Sequence, residues 1–273
     1  EKNVILEEIG MYRDRPFWTA YETAMETYFA EHPLAMRVLG TEESIQALQR
    51  DAMADYFNHR YSPDNIVVSL AGRVDFDACV EQVDRMCGRW PATGARRDYT
   101  DAPATVADHT QTDEKLTNHY VIVIAPGPAH ADESRYAAAV MAHLLGDVDG
   151  SRLYWKLIDP GLAEEADLSH QSFDRAGTFV SYARCPPSNA EQVEAGLLEG
   201  LDTAADDLGD DEIERARNKI AMSLTLQNEQ PMGRMLATGL NWLHTGEYRT
   251  LEEEVARLTA VTADDLRQLA TDY

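Results

Sequence analysis

Three carboxylates stand at the start of the chain: Glu1, Glu7 and Glu8. Glu1 and Glu8 are seven residues apart, a spacing that returns to nearly the same face of a helix, whereas Glu7 points about 100° away. Carboxylates on one helix face can ligate a divalent cation when other donors converge on them. Zinc used catalytically takes three protein ligands plus a water, and a carboxylate base to activate that water. The same spacing also describes an ordinary solvated helix face, because Glu is a good helix former. The histidines that could complete a site are His32, His59, His109, His119, His130, His143, His170 and His244. They include no HxxEH or HxxxH pair, and each reads as a surface or partly packed side chain. Cys79, Cys87 and Cys185 are too few and too scattered for a disulfide framework or a CxxC site, and read as small buried hydrophobes.

The elements that must carry these groups follow from apolar periodicity. Val4, Ile5, Ile9 and Met11 define a first helix that stops between Arg13 and Pro16. Phe17, Tyr21, Ala24 and Tyr28 predict a second, up to His32-Pro33, and Ile45, Leu48, Ala52 and Tyr56 a third. Asn65 to Gly72 is short and β-branched, which predicts a buried strand, with a helix through Phe76, Val80, Val83 and Cys87 behind it. From Trp90 to Asn118 Pro, Gly, Thr and Asp replace periodicity, so this stretch reads as a connection. His119 to Ala125 predicts a central strand, and Tyr136 to Leu145 and Arg152 to Ile158 predict helical segments. Leu168 to Phe173 and Thr178 to Cys185 predict a hairpin about the turn Asp174 to Gly177. Helical patterns near 189–205, 210–228, 232–245, 249–258 and from Ala263 complete the chain, with Asp210 and Asp211 as candidate caps.

Strands followed by runs of helices, twice over, indicate an α+β architecture of two related αβ units. Ala47-Leu48, Asp51 and Met53 correspond to Ala260-Val261, Asp264 and Leu266 at a constant offset of 213 residues. The expected organisation is residues 1–95 as the later part of a first unit, 96–118 as connection, and 119–273 as a second unit. The first is expected to be truncated at its amino terminus and the second to lack its last strand.

Composition excludes several functions. The 273 residues carry 48 Asp and Glu against 24 Lys and Arg, a formal charge of −24, which repels phosphate backbones and argues against nucleic-acid binding. The acidity is expected to coat a solubilising surface rather than an acidic chamber for basic peptides. No run of 18 apolar residues suggests a membrane span, and the charged first residues are not a leader peptide. Cytoplasm and periplasm both stay open.

The nonapeptide Glu1 to Ile9, EKNVILEEI, resembles the distal metal-ligand helix of the M16 (pitrilysin/insulinase-type) zinc peptidases. His32-Pro33-Leu34, Val38 to Ile45, Tyr61 to Asn65 leading into Ile66 to Gly72, Gly150 to Tyr154 and Gly161-Leu162-Ala163 occur in the order found in that family. The resemblance implies a larger zinc-dependent endopeptidase that hydrolyses peptides in a two-domain clamshell, of which this chain is a piece lacking the HxxEH helix. It implies Glu8 as the third zinc ligand and Glu1 as its supporting residue. It also implies a chain that is itself inactive and holds no zinc tightly, with peptide substrates and a second copy or second M16 subunit as partners. Active members commonly carry an Arg and a Tyr seven apart near the Gly-Leu-Ala, which bind the substrate backbone. Here Leu157 or Ile158 and Glu164 stand in those places. That departure supports the alternative, a non-catalytic homologue serving as structural or peptide-binding partner of an active subunit; an acidic scaffold is a third reading. Arg152 matches a family Arg whose role is expected to be structural.

Overall fold

The computed structural model describes residues 1–97 and 99–273. Helices α1 (Lys2–Arg13), α2 (Pro16–Phe29), α3 (Glu42–Ala47), α4 (Arg50–Arg60) and α5 (Phe76–Cys87) precede the first strand. Then come β1 (His119–Gly127), α6 (Arg135–Gly146), β2 (Glu165–Ser172), β3 (Gly177–Cys185), and helices α7 (Ala190–Asp202), α8 (Asp210–Glu229), α9 (Pro231–Thr245), α10 (Leu251–Thr259) and α11 (Ala263–Asp272). Among the described residues no helix is long and apolar enough to cross a membrane.

The three strands form one antiparallel sheet in the order β1-β3-β2. The hairpin and its turn lie where the sequence places them, with Ser172 opposite Gly177. The central strand is β3, not β1; its burial is nearly continuous, as a strand covered on both faces requires. Strand alternation divides the side chains into two sets. Val121, Ala166, Leu168, Phe179, Ala183 and Cys185 join a large core with Val140, Leu144 and Leu145 of α6, Val193 and Leu197 of α7, and Ile213 of α8. Leu258 of α10 and Leu266 and Leu269 of α11 close the same core.

Helix α2 covers the opposite face. Phe17 meets Tyr182 edge to face with ring centroids 4.8 Å apart, and the Tyr21 hydroxyl donates to Gln171 at 2.6 Å. Met25, Tyr28 and Phe29 form a small cluster with Ile124 and Phe173. Thus α2, from the first part of the chain, docks on the sheet of the second.

Four further sequence expectations change. Residues 66–70 are extended at Ile66 (φ −125°, ψ 134°), yet no described strand pairs with them, so no ladder forms. Their side chains are open rather than buried, and the segment runs along α9, where Ser69 Oγ donates to the Met235 carbonyl at 2.8 Å. The third predicted helix is two, because the chain leaves helical geometry at Leu48 and Gln49. Gly209, not Asp210 or Asp211, is the cap of α8, and Glu212 reaches back to its N–H at 3.0 Å. Cys185 is buried as expected, while Cys79 and Cys87 are only partly covered because α5 buries no residue.

Helix positions match the expected repeat in part, but no strand is described before β1, so the expected first αβ unit shows helices alone. Helix α4 begins at residue 50 and α11 at residue 263, the 213-residue offset seen in the sequence, and each follows a short helix, α3 or α10.

Candidate functional site

Glu1 closes the start of α1, its carbonyl accepting from Val4 and Ile5 N–H at 3.0 and 3.2 Å. The helix is tied to its neighbours by Lys2 Nζ on the Gln46 carbonyl at 2.9 Å and by Arg13 on Glu42 at 2.7 Å. Glu1, Glu7 and Glu8 are all exposed on it. No three His, Cys, Asp or Glu side chains converge to hold a metal ion among the described residues. A zinc centre needs at least three such donors. The described residues therefore do not by themselves make a zinc site around Glu8.

The histidines serve other purposes. His32 Nδ1 accepts from Leu34 N–H at 3.2 Å and caps a short 3₁₀ turn, and His59 is exposed on α4. His170 Nε2 lies 2.9 Å from the Pro128 carbonyl, and burial lowers its pKa. An open cleft of about 340 Å³ beside α6 is lined by Ala142, His143, Gly146, Asp147, Leu168 and His170. In it Asp147 pairs with Lys219 and lies 3.1 Å from His143, whose pKa is lowered by burial.

Where the family resemblance would ask for Arg and Tyr, the geometry excludes substrate contact at one position. Leu157 is 1% exposed and packs in the main core against Gly196. It lies on a turn of π-helix, Tyr154–Ile158, marked by the Asp159 N–H to Tyr154 carbonyl bond at 2.9 Å. Glu164 is engaged by Arg184 at 3.2 Å and Asn118 at 3.3 Å. Arg152 is structural: its guanidinium meets Glu212 at 2.5 Å and the carbonyls of Thr203, Ala204 and Asp207 at 3.3–3.4 Å. That fork pins the π-turn region to the start of α8.

Two polar groupings have no signal in the sequence. On the α2 side of the sheet, Glu165, Asp167, Tyr182 and Arg184 stand together, with Tyr182 donating to Glu165 at 3.1 Å. Asp167 makes no ion pair there among the described residues; partial burial, and then the charge of Glu165, push it up to about 6. The second grouping is His130, His244 and Asp174, which come together from positions 44 to 114 residues apart. No periodicity or motif marks either, because each is created by tertiary contact.

The family is shown by comparison. The model described as peptidase M16 inactive domain matches residues 47–220, from the end of α3 into α8, and the chain belongs to the M16 peptidase family. An uncharacterized zinc protease of Streptomyces coelicolor is 32% identical over 284 residues, a match covering 100% of this chain and 61% of that protein. The uncharacterized zinc protease YmxG of Bacillus subtilis is 27% identical over 272 residues, covering 99% of this chain and 66% of that protein. The chain thus spans 61–66% of the length of these relatives. Among solved structures, a protease from Helicobacter pylori superposes with TM-score 0.84 at 17% identity, over 100% of this chain and 68% of that one. A chain of complex III2 from Candida albicans superposes with TM-score 0.89 at 16% identity, over 99% and 67%. At these identities the structures share the fold.

Proposed function

We propose that this chain forms the larger, non-catalytic part of an M16 zinc endopeptidase, with Glu8 as the metal ligand it contributes and Glu1 supporting it. The observation that carries the reading is that the whole chain aligns within longer proteins named zinc proteases, while its own matched domain is of the inactive type. Residues 1–95 and 119–273 then act as parts of two domains that enclose a peptide, joined by 96–118. The remaining metal donors and the water-activating base belong, on this reading, to sequence shared with the longer relatives. The second reading, a catalytically silent subunit that supports an active one, is favoured by buried Leu157 and paired Glu164. The fold neighbour within complex III2 supports it as well.

One experiment separates the two. The 273-residue chain is expected to bind zinc weakly and to hydrolyse no peptide. The full protein is expected to carry one chelator-sensitive zinc and to cleave a mixed peptide library. Glu8→Gln should abolish cleavage and reduce zinc content, since an amide is a poorer ligand; Glu7→Gln, on another face, should do much less. Equal losses from both changes would remove Glu8 from the site. A full protein free of zinc and of activity would leave the subunit reading.

A further inference from the structure

Four segments meet at one point on the far end of the sheet. His130 lies in the loop between β1 and α6, Asp174 in the β2–β3 turn, His244 in the last turn of α9, and Arg97 and Tyr99 in the connection. The imidazoles of His130 and His244 face each other with centroids 4.5 Å apart and planes inclined by 38°. His244 Nδ1 is bonded to one oxygen of Asp174. The other oxygen accepts from the Tyr99 hydroxyl at 2.9 Å and from Arg97 at 3.3 Å. His130 Nδ1 lies 3.1 Å from Ser172 Oγ, and Arg135 donates to its carbonyl at 2.5 Å. Arg175, at φ +59°, stacks over the Tyr99 ring at 4.7 Å.

We propose that His130, His244 and Asp174 form an acid-released latch that fastens the end of α9 and the connection to the β2–β3 turn. The charge arithmetic drives it. Among the described residues, the ionisable groups acting on His130 are Arg135 from α6, His170 from β2, His244 from α9 and Asp174 from the turn, while Arg97 and Tyr99 of the connection reach Asp174. Arg135 already has the Glu254 carboxylate at 3.4 Å, and the carboxylate beside the two imidazoles, Asp174, is engaged by His244. Partial burial works against the charged form of Asp174, but hydrogen bonds from His244 and Tyr99 hold its pKa below the usual range, so it stays ionised as pH falls. A proton on His130 adds a charge beside Arg135 and His244 with no partner of its own. Burial first, then Arg135 and His244, lower His130 to about 4 from 6.5. A closed latch therefore binds fewer protons than an open one between those values. Closure is fully favoured above about pH 6.5 and lost progressively down to about 4, by on the order of 100-fold in the opening equilibrium.

The test is hydrogen exchange by mass spectrometry on the full protein from pH 7.5 to 4.5, corrected for intrinsic rates. Peptides covering 170–176 and 238–246 should open by at least tenfold on acidification, while β3 stays protected. His130→Asn keeps a polar contact for Ser172 but cannot take the proton, so its opening should vanish or move down by a pH unit or more. An unchanged profile in the variant, or simultaneous loss of β3 protection, would overturn the latch. Should the variant not fold, carbon-labelled histidine resonances of the unmodified protein decide instead: a His130 midpoint at 6 or above sinks the idea.

Discussion

Asp167 shows how a single residue can be placed by tertiary structure against its own preference. It sits opposite Tyr182 on β2, two residues from Glu165, on the face that α2 partly covers. Its folded pKa of about 6 lies above the ordinary 3.8, so the folded chain holds more protons than the unfolded one across that window. Stability therefore falls as pH rises from about 4 to 6, and the cost is fully present above 6. Asp167→Asn should raise the Tm at pH 7.5, with the gain shrinking as pH drops through 6 towards 4; the side chain still reaches solvent, so the gain should be modest. An equal gain at both ends of the range would refute the assignment. None of this is legible in the sequence, where Asp167 is one acidic residue among 48. The family-specific residues divide similarly. Motif order located Gly150 to Tyr154, and the geometry then gave Arg152 its structural partner Glu212, sixty positions away.

Local sequence signals decide those elements whose formation is local. Pro16 restarts a helix, the Asp174 to Gly177 turn closes a hairpin, and the five apolar patterns after residue 189 become α7 to α11. Where a partner decides, sequence pattern alone does not. Residues 66–70 have the composition of a strand, but a strand exists only when paired, and no described strand lies beside them. Cys79 and Cys87 have helical spacing, yet α5 buries no residue, because its apolar side meets no second layer among the described elements. The α6–β2 contact depends on a missing side chain. A Cβ on Gly146 would collide with the Leu168 backbone N. Gly146→Ala should therefore destabilise the fold by roughly 1–3 kcal/mol, despite the higher helix propensity of Ala. Chemical denaturation with unchanged or increased stability would show that the end of α6 yields without cost.

Across the whole molecule, burial is distributed unevenly, and this has a measurable consequence. Of the residues before β1, the buried apolar ones are Met25, Tyr28, Phe29 and Ala95, whereas those of the main core run from Val121 to Leu269. Helices α1, α3, α4 and α5 bury no residue. Phe76, Met86, Met53 and Val4 are each more than half exposed, so the first five helices gain little from the hydrophobic effect. Helix α2 is the exception, since Phe29, 1% exposed, anchors it to the sheet. Local opening free energy follows buried contact, because an element that covers little apolar surface loses little on detaching. For the 273-residue chain, α1, α3, α4 and α5 should exchange their amides at the lowest free energies, α2 at an intermediate one, and β3, α6 and α7 near the global value. Phe29→Ala should cost about 3–5 kcal/mol locally and bring α2 down to the level of α1, with β3 unaffected. The exposed apolar faces should also make this chain self-associate with rising concentration despite its charge of −24. Uniform protection across both parts of a strictly monomeric chain would show that the first five helices are held by something other than the contacts described.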